Sequence, residues 1–210
     1  MPSITRTTQA ARAKRREEIR ARLLRAVEHC LERETYTDVS VERLVREAGI
    51  ARSTFYVYFE DKGDLLRALA EDVIAEIIES AGYWWSLPPE ATREDLREAM
   101  ERIADTYRTH RVVMTAVVEA TSYDERIREQ FAVLLERTIA EVAAHVVDGQ
   151  RRGFAHADVD PEQTALWLTW MTERGLFQLV TPAGADETER LMRALTDIVW
   201  NTLYARTRTP

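Results

Sequence analysis

The stretch Ser40 to Lys62, SVERLVREAGIARSTFYVYFEDK, decides the fold of this 210-residue chain. It reads as two short helices joined by a tight turn. Ser40 is placed to N-cap the first, because its hydroxyl can accept from a free backbone N–H two or three residues on. Leu44, Val45 and Ala48 give that helix one apolar face. Gly49 stops it, since glycine takes the left-handed conformation of a helix C-cap without steric cost. Ile50 fills the corner. Arg52 to Tyr58 forms the second helix, with Phe55 and Phe59 four residues apart and facing inward. Ser53, Thr54, Tyr56 and Tyr58 are then expected towards solvent. A small, uncharged, hydroxyl-rich face suits a DNA major groove, where hydroxyls meet phosphates and base edges.

Residues 48–66, A-G-I-A-R-S-T-F-Y-V-Y-F-E-D-K-G-D-L-L, resemble the helix-turn-helix signature of the TetR family of transcriptional regulators. That signature has a glycine turn, a short recognition helix, a tyrosine followed three residues later by phenylalanine, and a lysine opening the next helix. Tyr56, Phe59 and Lys62 occupy those positions. The resemblance implies an all-α protein of about nine helices, three in the DNA-binding part and six beyond.

Working outward, charge is uneven. Residues 1–70 hold 14 Lys/Arg against 11 Asp/Glu, or +3, whereas residues 71–210 hold 15 against 25, or −10. A basic N-terminal part on an acidic chain points to nucleic acid at that end only. Residues 1–8 read as irregular. Arg12, Lys14, Arg15, Arg16, Arg20 and Arg22 then form a basic arm entering helix 1, whose buried face is Ile19, Leu23, Val27, Cys30 and Leu31 and which should end near Glu34–Thr35. Cys30 is the only cysteine, so no intrachain disulfide can form, and a reduced buried thiol suits a cytoplasmic protein. No apolar run reaches membrane-span length, and the N-terminus lacks the apolar core of a signal peptide.

A fourth helix is expected from Lys62 to about Ser80, with Leu65, Leu66, Leu69, Val73, Ile77 and Ile78 inside. It links the helix-turn-helix to the rest. Gly82–Pro89, GYWWSLPP, breaks the pattern and places Trp84 and Trp85 in a loop, as a lid or as packing over the junction. We therefore expect two domains, residues 1–66 for DNA binding and residues 67–210 for effector binding and dimerisation. Helix 5 opens at Thr92 with Asp95, helix 6 spans Arg111–Ala120, and helix 7 runs from the Asp124 cap to Gly149 or Gly153. Helix 8 runs from Asp160-Pro161 to about Val180, and helix 9 from Asp186 to about Arg206.

The second part carries many large apolar groups at helical spacing: Leu96, Met100, Ile103, Tyr107, Met114, Phe131, Leu135, Trp167, Trp170, Met171 and Phe177, with Thr138 among them. Singly each suits a core. Together they suggest a cleft between bundle helices. The run W-L-T-W-M-T-E-R-G-L-F, residues 167–177, with the Thr121–Ser122 corner, is similar to the ethionamide-repressor branch of the family, which implies a mostly apolar ligand tunnel. Thr169 and Thr172 stand where that branch places amides. Glu173 lies among apolar neighbours and reads either as an ion pair with Arg174 or Arg111, or as a polar anchor for a ligand. Gly175 reads as a close approach of a second helix. An acidic domain disfavours anionic ligands, so the expected effector is neutral, elongated and largely apolar.

Together these readings give a homodimeric regulator, paired through helices 8 and 9, that binds a palindromic double-stranded DNA operator and is released by a small apolar effector. Ser40, Arg52, Ser53, Thr54, Tyr56, Tyr58 and Lys62 are the candidate DNA contacts. No cofactor or metal is expected: His29, His110, His145 and His156 are scattered, and Glu141 with His145 reads as a surface pair. No nucleophile motif or phosphate loop argues for an enzyme. A helix-turn-helix protein whose second domain binds a partner protein is the competing reading, and a dry, filled core would favour it.

Overall fold

Capping decides most of the helix boundaries. In the computed structural model, residues 3–204 are described, with side chains from residue 14. Nine α-helices make up the described residues: α1 (Ser3–Leu31), α2 (Val41–Ala48), α3 (Arg52–Tyr58), α4 (Lys62–Trp85), α5 (Arg93–Thr109), α6 (Arg111–Ala120), α7 (Glu125–Arg152), α8 (Pro161–Gly175) and α9 (Ala185–Leu203). A π-helical turn, Leu176–Val180, continues α8. Ser40 Oγ accepts from Arg43 N at the start of α2, and Gly49 ends that helix at φ +60°. Thr92 and Asp95 form a reciprocal capping box on α5. Asp124 caps α7, and Asp160 with Pro161 opens α8.

Several boundaries differ from expectation. Residues 3–8 belong to α1 rather than to an irregular segment, residues 1 and 2 lie outside the described residues, and α1 ends at Leu31. The fourth helix does not stop near Ser80. It runs on through Gly82 to Trp85, so the two tryptophans are helical. Glycine inside a helix costs about 1 kcal/mol against alanine, and burial of Ala81 and Trp84 offsets it. The break falls at Ser86–Leu87, because the residue before a proline avoids the helical conformation. Asp186 does not cap α9: Gly184 takes that place without a side-chain bond, and Asp186 and Glu187 lie in the first turn, where the helix dipole favours them. The expected end at Arg206 lies outside the described residues.

α1 lies across α2 and also reaches α4 and α6. α4 passes from this N-terminal group into the second, where it meets α5, α6 and α7. α7 pairs with α8, and α5 with α9. One apolar core runs through both groups, from Leu23, Leu44 and Phe55 to Met100, Ile127 and Leu203. The expected division after residue 66 falls inside α4, so both groups share a helix.

The end of α9 is locked by an aromatic cluster around Tyr204. His145 is buried, not on the surface beside Glu141. Its Nδ1 lies 3.2 Å from the Trp85 carbonyl and its Nε2 lies 3.0 Å from the Tyr204 hydroxyl, which also accepts from Trp84 Nε1 at 3.1 Å. Phe154 and Trp200 stack on Tyr204. Burial holds the His145 imidazole below its ordinary pKa, so it sits neutral in this network. α7 stops at Gly153, φ +81°, and the chain folds back so tightly that a Cβ on Gly149 would lie 2.7 Å from Ala155 Cβ and from the Phe154 ring. Gly149→Ala should therefore cost about 1–3 kcal/mol through overpacking, measured by urea denaturation. An unchanged midpoint would show that the loop gives way freely.

Candidate nucleic-acid interface and ligand cavity

Two sites emerge, at opposite ends of α4. At the first, Phe55 and Phe59 anchor α3 in the N-terminal core. Its outward face is Ser53, Tyr56 and Val57, at i, i+3 and i+4. Val57 is 68% exposed, and the sequence reading passed over it. Thr54 and Tyr58 are half-buried on the flanks rather than fully outward. Arg52 is exposed, pairs with Glu42 and donates to the Tyr56 hydroxyl at 3.2 Å. Ser40 is exposed at the α2 N-terminus.

Lys62 departs most from expectation. Its ammonium donates to three carbonyls: Tyr36 at 2.9 Å, Thr37 at 3.0 Å and Val39 at 2.9 Å. It also lies 4.7 Å from the Tyr36 ring centroid. An ammonium has three N–H donors, so Lys62 is spent on the α1–α2 connection and is not free for a phosphate. Burial pulls its pKa down, opposed by Glu119 and Asp38. Part of the basic arm is likewise structural. Arg20 pairs with Asp72 at 3.4 Å, and Arg22 donates to the carbonyls that end α2, Ala48 and, at 3.0 Å, Gly49. Lys14, Arg15 and Arg16 are exposed, and the Arg16 guanidinium lies 5.9 Å over the Tyr58 ring, beside α3. The side chain of Arg12 lies outside the described residues.

The second site is a cavity between α4, α5, α7 and α8, with about 50 Å³ of room for the centre of a water molecule. Of the expected residues, Ile103, Tyr107, Leu135, Thr138 and Glu173 line it. So do Ile77, Ala81, Trp84, Trp85, Leu134, Thr169, Thr172 and Leu176. Leu96, Met100, Met114 and Phe131 are buried in the core away from its wall, and Phe177 is half-buried. Trp167, Trp170 and Met171 do not reach it. They line a groove on the outer side of α8 with Ile198 and Thr202 of α9, and Trp167 is 73% exposed and Trp170 40%. Gly175 meets nothing among the described residues, since a Cβ there would have no neighbour within 4 Å.

The cavity wall is polar along one turn of α8. The hydroxyls of Thr169 and Thr172 and both carboxylate oxygens of Glu173 are buried without a hydrogen-bond partner. The Arg174 Nε lies 3.3 Å from Glu173 Oε2, which is close enough to attract but lacks hydrogen-bonding geometry. Arg111 takes no part. Each unsatisfied group of this kind costs about 1–3 kcal/mol. Burial pushes the Glu173 carboxyl up, against the pull of Arg174. Burial, and then the nearby Glu173, push the Tyr107 phenol up. Among the described residues no cluster of His, Cys, Asp or Glu could hold a metal.

A helix-turn-helix at one end of α4 and a helical bundle with a lined cavity at the other can be compared with known proteins. The family described as "Bacterial regulatory proteins, tetR family" matches residues 23–69, and "Transcriptional regulator EthR, C-terminal domain" matches residues 96–205, more than half of the chain. The chain belongs to the TetR family of transcriptional regulators. Members of this family are non-enzymatic DNA-binding proteins, and this one carries the family's DNA-binding and ligand-binding domains. It is 29% identical to the HTH-type transcriptional regulator EthR of Mycobacterium tuberculosis (strain H37Rv) over 189 residues, 89% of this chain and 87% of that one. It is 27% identical to EthR of Mycolicibacterium smegmatis over 209 residues, 96% and 94%. Among solved structures, a TetR transcription regulator from Haloarcula marismortui superposes with a TM-score of 0.73 at 18% identity, covering 89% of this chain and 99% of the other. The TetR-family regulator PfmR from Thermus thermophilus gives 0.69 at 17%, covering 87% and 99%. Among the described residues of this family member, no helix is long and apolar enough to cross a membrane.

Two expectations follow. Lys62→Met orphans three carbonyls and should lower stability by about 1.5–3 kcal/mol, while the salt dependence of DNA binding stays unchanged. A slope reduced by about one ion would restore Lys62 as a phosphate contact. For Glu173, a carboxyl whose pKa is raised by folding adds stability below its unfolded value, and that contribution is lost as pH rises through the raised value. Wild type should therefore lose melting temperature relative to Glu173→Gln from the ordinary glutamate value of 4.5 upward. A difference that is flat with pH would show that burial does not perturb this group.

Proposed function

We propose that this regulator is a homodimeric repressor that binds a palindromic operator and is released by a small, mostly apolar effector. The residues through 66 form the operator-binding part and the rest the effector-binding and dimerisation part. In this reading α3 enters the major groove, with Ser53, Tyr56 and Val57 foremost, Thr54 and Tyr58 at the flanks, and Arg52 and Ser40 near phosphates. Lys14, Arg15 and Arg16 supply sequence-independent attraction. The protein acts in the cytoplasm, where its DNA lies.

The observation that carries dimerisation is the apolar outer face of α8 and α9. Trp167, Trp170 and Ile198 are exposed and line one groove, an apolar surface that a soluble monomer would normally cover. Two-fold pairing of α8 and α9 makes a four-helix bundle and leaves two α3 helices to read two half-sites about one helical turn, or a multiple, apart. The cavity supports effector control, because it abuts α4, the helix whose first turn lies in the DNA-binding part. The similarity to EthR over most of both chains supports the same assignment.

Selection of bound fragments from a random DNA library should return an inverted repeat. Ile198→Glu, placed in the groove between α8 and α9, should give a monomer by sedimentation and lower operator affinity by about a hundredfold or more. A variant that stays dimeric would move the interface elsewhere, and recovery of a single half-site would overturn the palindrome.

A further inference from the structure

Resting on the reading of the cavity as the effector site, we propose a narrower ligand class. The effector carries a protonated amine, and Glu173, flanked by Thr169 and Thr172, is its seat. The expected neutral effector is thereby revised, and the expected polar anchor at Glu173 is kept.

Glu173 is only 4% exposed, yet neither of its oxygens receives a hydrogen bond. Thr169 and Thr172 stand four and one residues before it, on the same side of α8, and their hydroxyls are also unpartnered. A well-satisfied core does not gather three such groups on one wall. Arg174 answers the carboxylate only in part, as the expected ion pair, with its Nε 3.3 Å from Oε2. Its guanidinium makes no hydrogen bond to it and belongs to the outer groove with Trp167 and Trp170. No lysine or arginine lines the cavity.

The remaining wall fixes the sign of the charge. Trp84, Trp85 and Tyr107 line the same cavity, and a cation is attracted to aromatic faces as well as to a carboxylate. Trp84 cannot itself supply the missing donor, since its indole N–H is given to Tyr204. An ammonium brings several donors, enough for Glu173 and both threonines, and neutralises the buried charge. An alcohol brings one donor and no charge. A carboxylate would face Glu173 with no interior cation between them. The room present suits a head group, so an apolar body must part α4 from α7 and α8. That separation is the displacement an effector has to cause.

The test uses the full-length dimer and three chain-matched probes, n-octylamine, 1-octanol and octanoate, at about pH 7, where the amine is protonated. Binding is read from melting temperature and from tryptophan emission. Octylamine should bind about tenfold or more tighter than octanol, and octanoate should not bind. In Glu173→Gln the ratio of amine to alcohol affinity should collapse towards one, and Tyr107→Phe should still favour the amine. Octanol binding as tightly as octylamine, or a Glu173→Gln variant that keeps the preference, would overturn the amine and leave the effector cavity standing. If none of the three probes binds, the effector reading falls with it.

Discussion

The ammonium of Lys62, held by the carbonyls of Tyr36, Thr37 and Val39, is the contact on which the arrangement of the two parts depends. It stands in the first turn of α4 and grips the connection between α1 and α2. The carbonyls of Tyr36, Thr37 and Val39 lie between α1 and α2 without helical partners, and water would otherwise have to reach them. The lysine answers all three at once, so the position of α2 and α3 is fixed to the end of α4. In the proposed mechanism a rotation of α4 is passed through this contact to α3.

A second joint fixes the fulcrum. Thr37 donates to Glu119 at the end of α6, the rings of Tyr36 and Tyr123 stack, and Arg67 lies 3.6 Å from Asp124 and 3.1 Å from Asp64. Gln130 of α7 donates to the Arg67 carbonyl. Those made by Asp64 and Arg67 lie in the first two turns of α4. The cavity residues Ile77, Ala81, Trp84 and Trp85 lie at its far end. With 24 residues, α4 is about 36 Å long at 1.5 Å per residue. A helix pinned near one end and pushed at the other behaves as a lever. In the proposed mechanism a ligand shifts it only by the difference in its affinity for the two positions.

Much of this was legible from local chemistry. Ser40 and Gly49, Thr92 and Asp95, Asp124, and Asp160 with Pro161 set helix ends through their own backbone bonds, and such bonds need no tertiary context. Trp84 and Trp85 were misplaced because glycine and proline around them read as breakers, whereas burial against Tyr204 carries the helix through. Trp167 and Trp170 were misplaced for a different reason. Residues 165–171, ALWLTWM, are apolar on nearly every side, so periodicity cannot tell the inner face from the outer. Ala165, Thr169, Thr172, Glu173 and Leu176 form the inner stripe, of which only the polar members were singled out from the sequence. Its polar members were the signal for the cavity wall. The role of Lys62 was not legible, because a lysine opening a helix looks the same whether it meets phosphate or carbonyl oxygens across a fold.

α8 has two faces with opposite debts. Its inner face holds buried polar groups without partners, and its outer face holds large apolar groups without cover. Neither arrangement favours the isolated folded chain. Each makes sense if the missing partner is another molecule, a polar head inside and a second copy outside. The π-helical turn that follows Gly175 shifts the register of the last residues, with Leu176 lining the cavity and Leu179 exposed. π-turns in helices are frequent at functional sites for this reason, since they re-aim side chains without ending the helix. Because one helix carries both faces, in the proposed dimer a ligand that tilts α8 from within also tilts the surface on which the two chains would meet. The spacing of the two recognition helices can then change by two routes, through α4 and through the bundle.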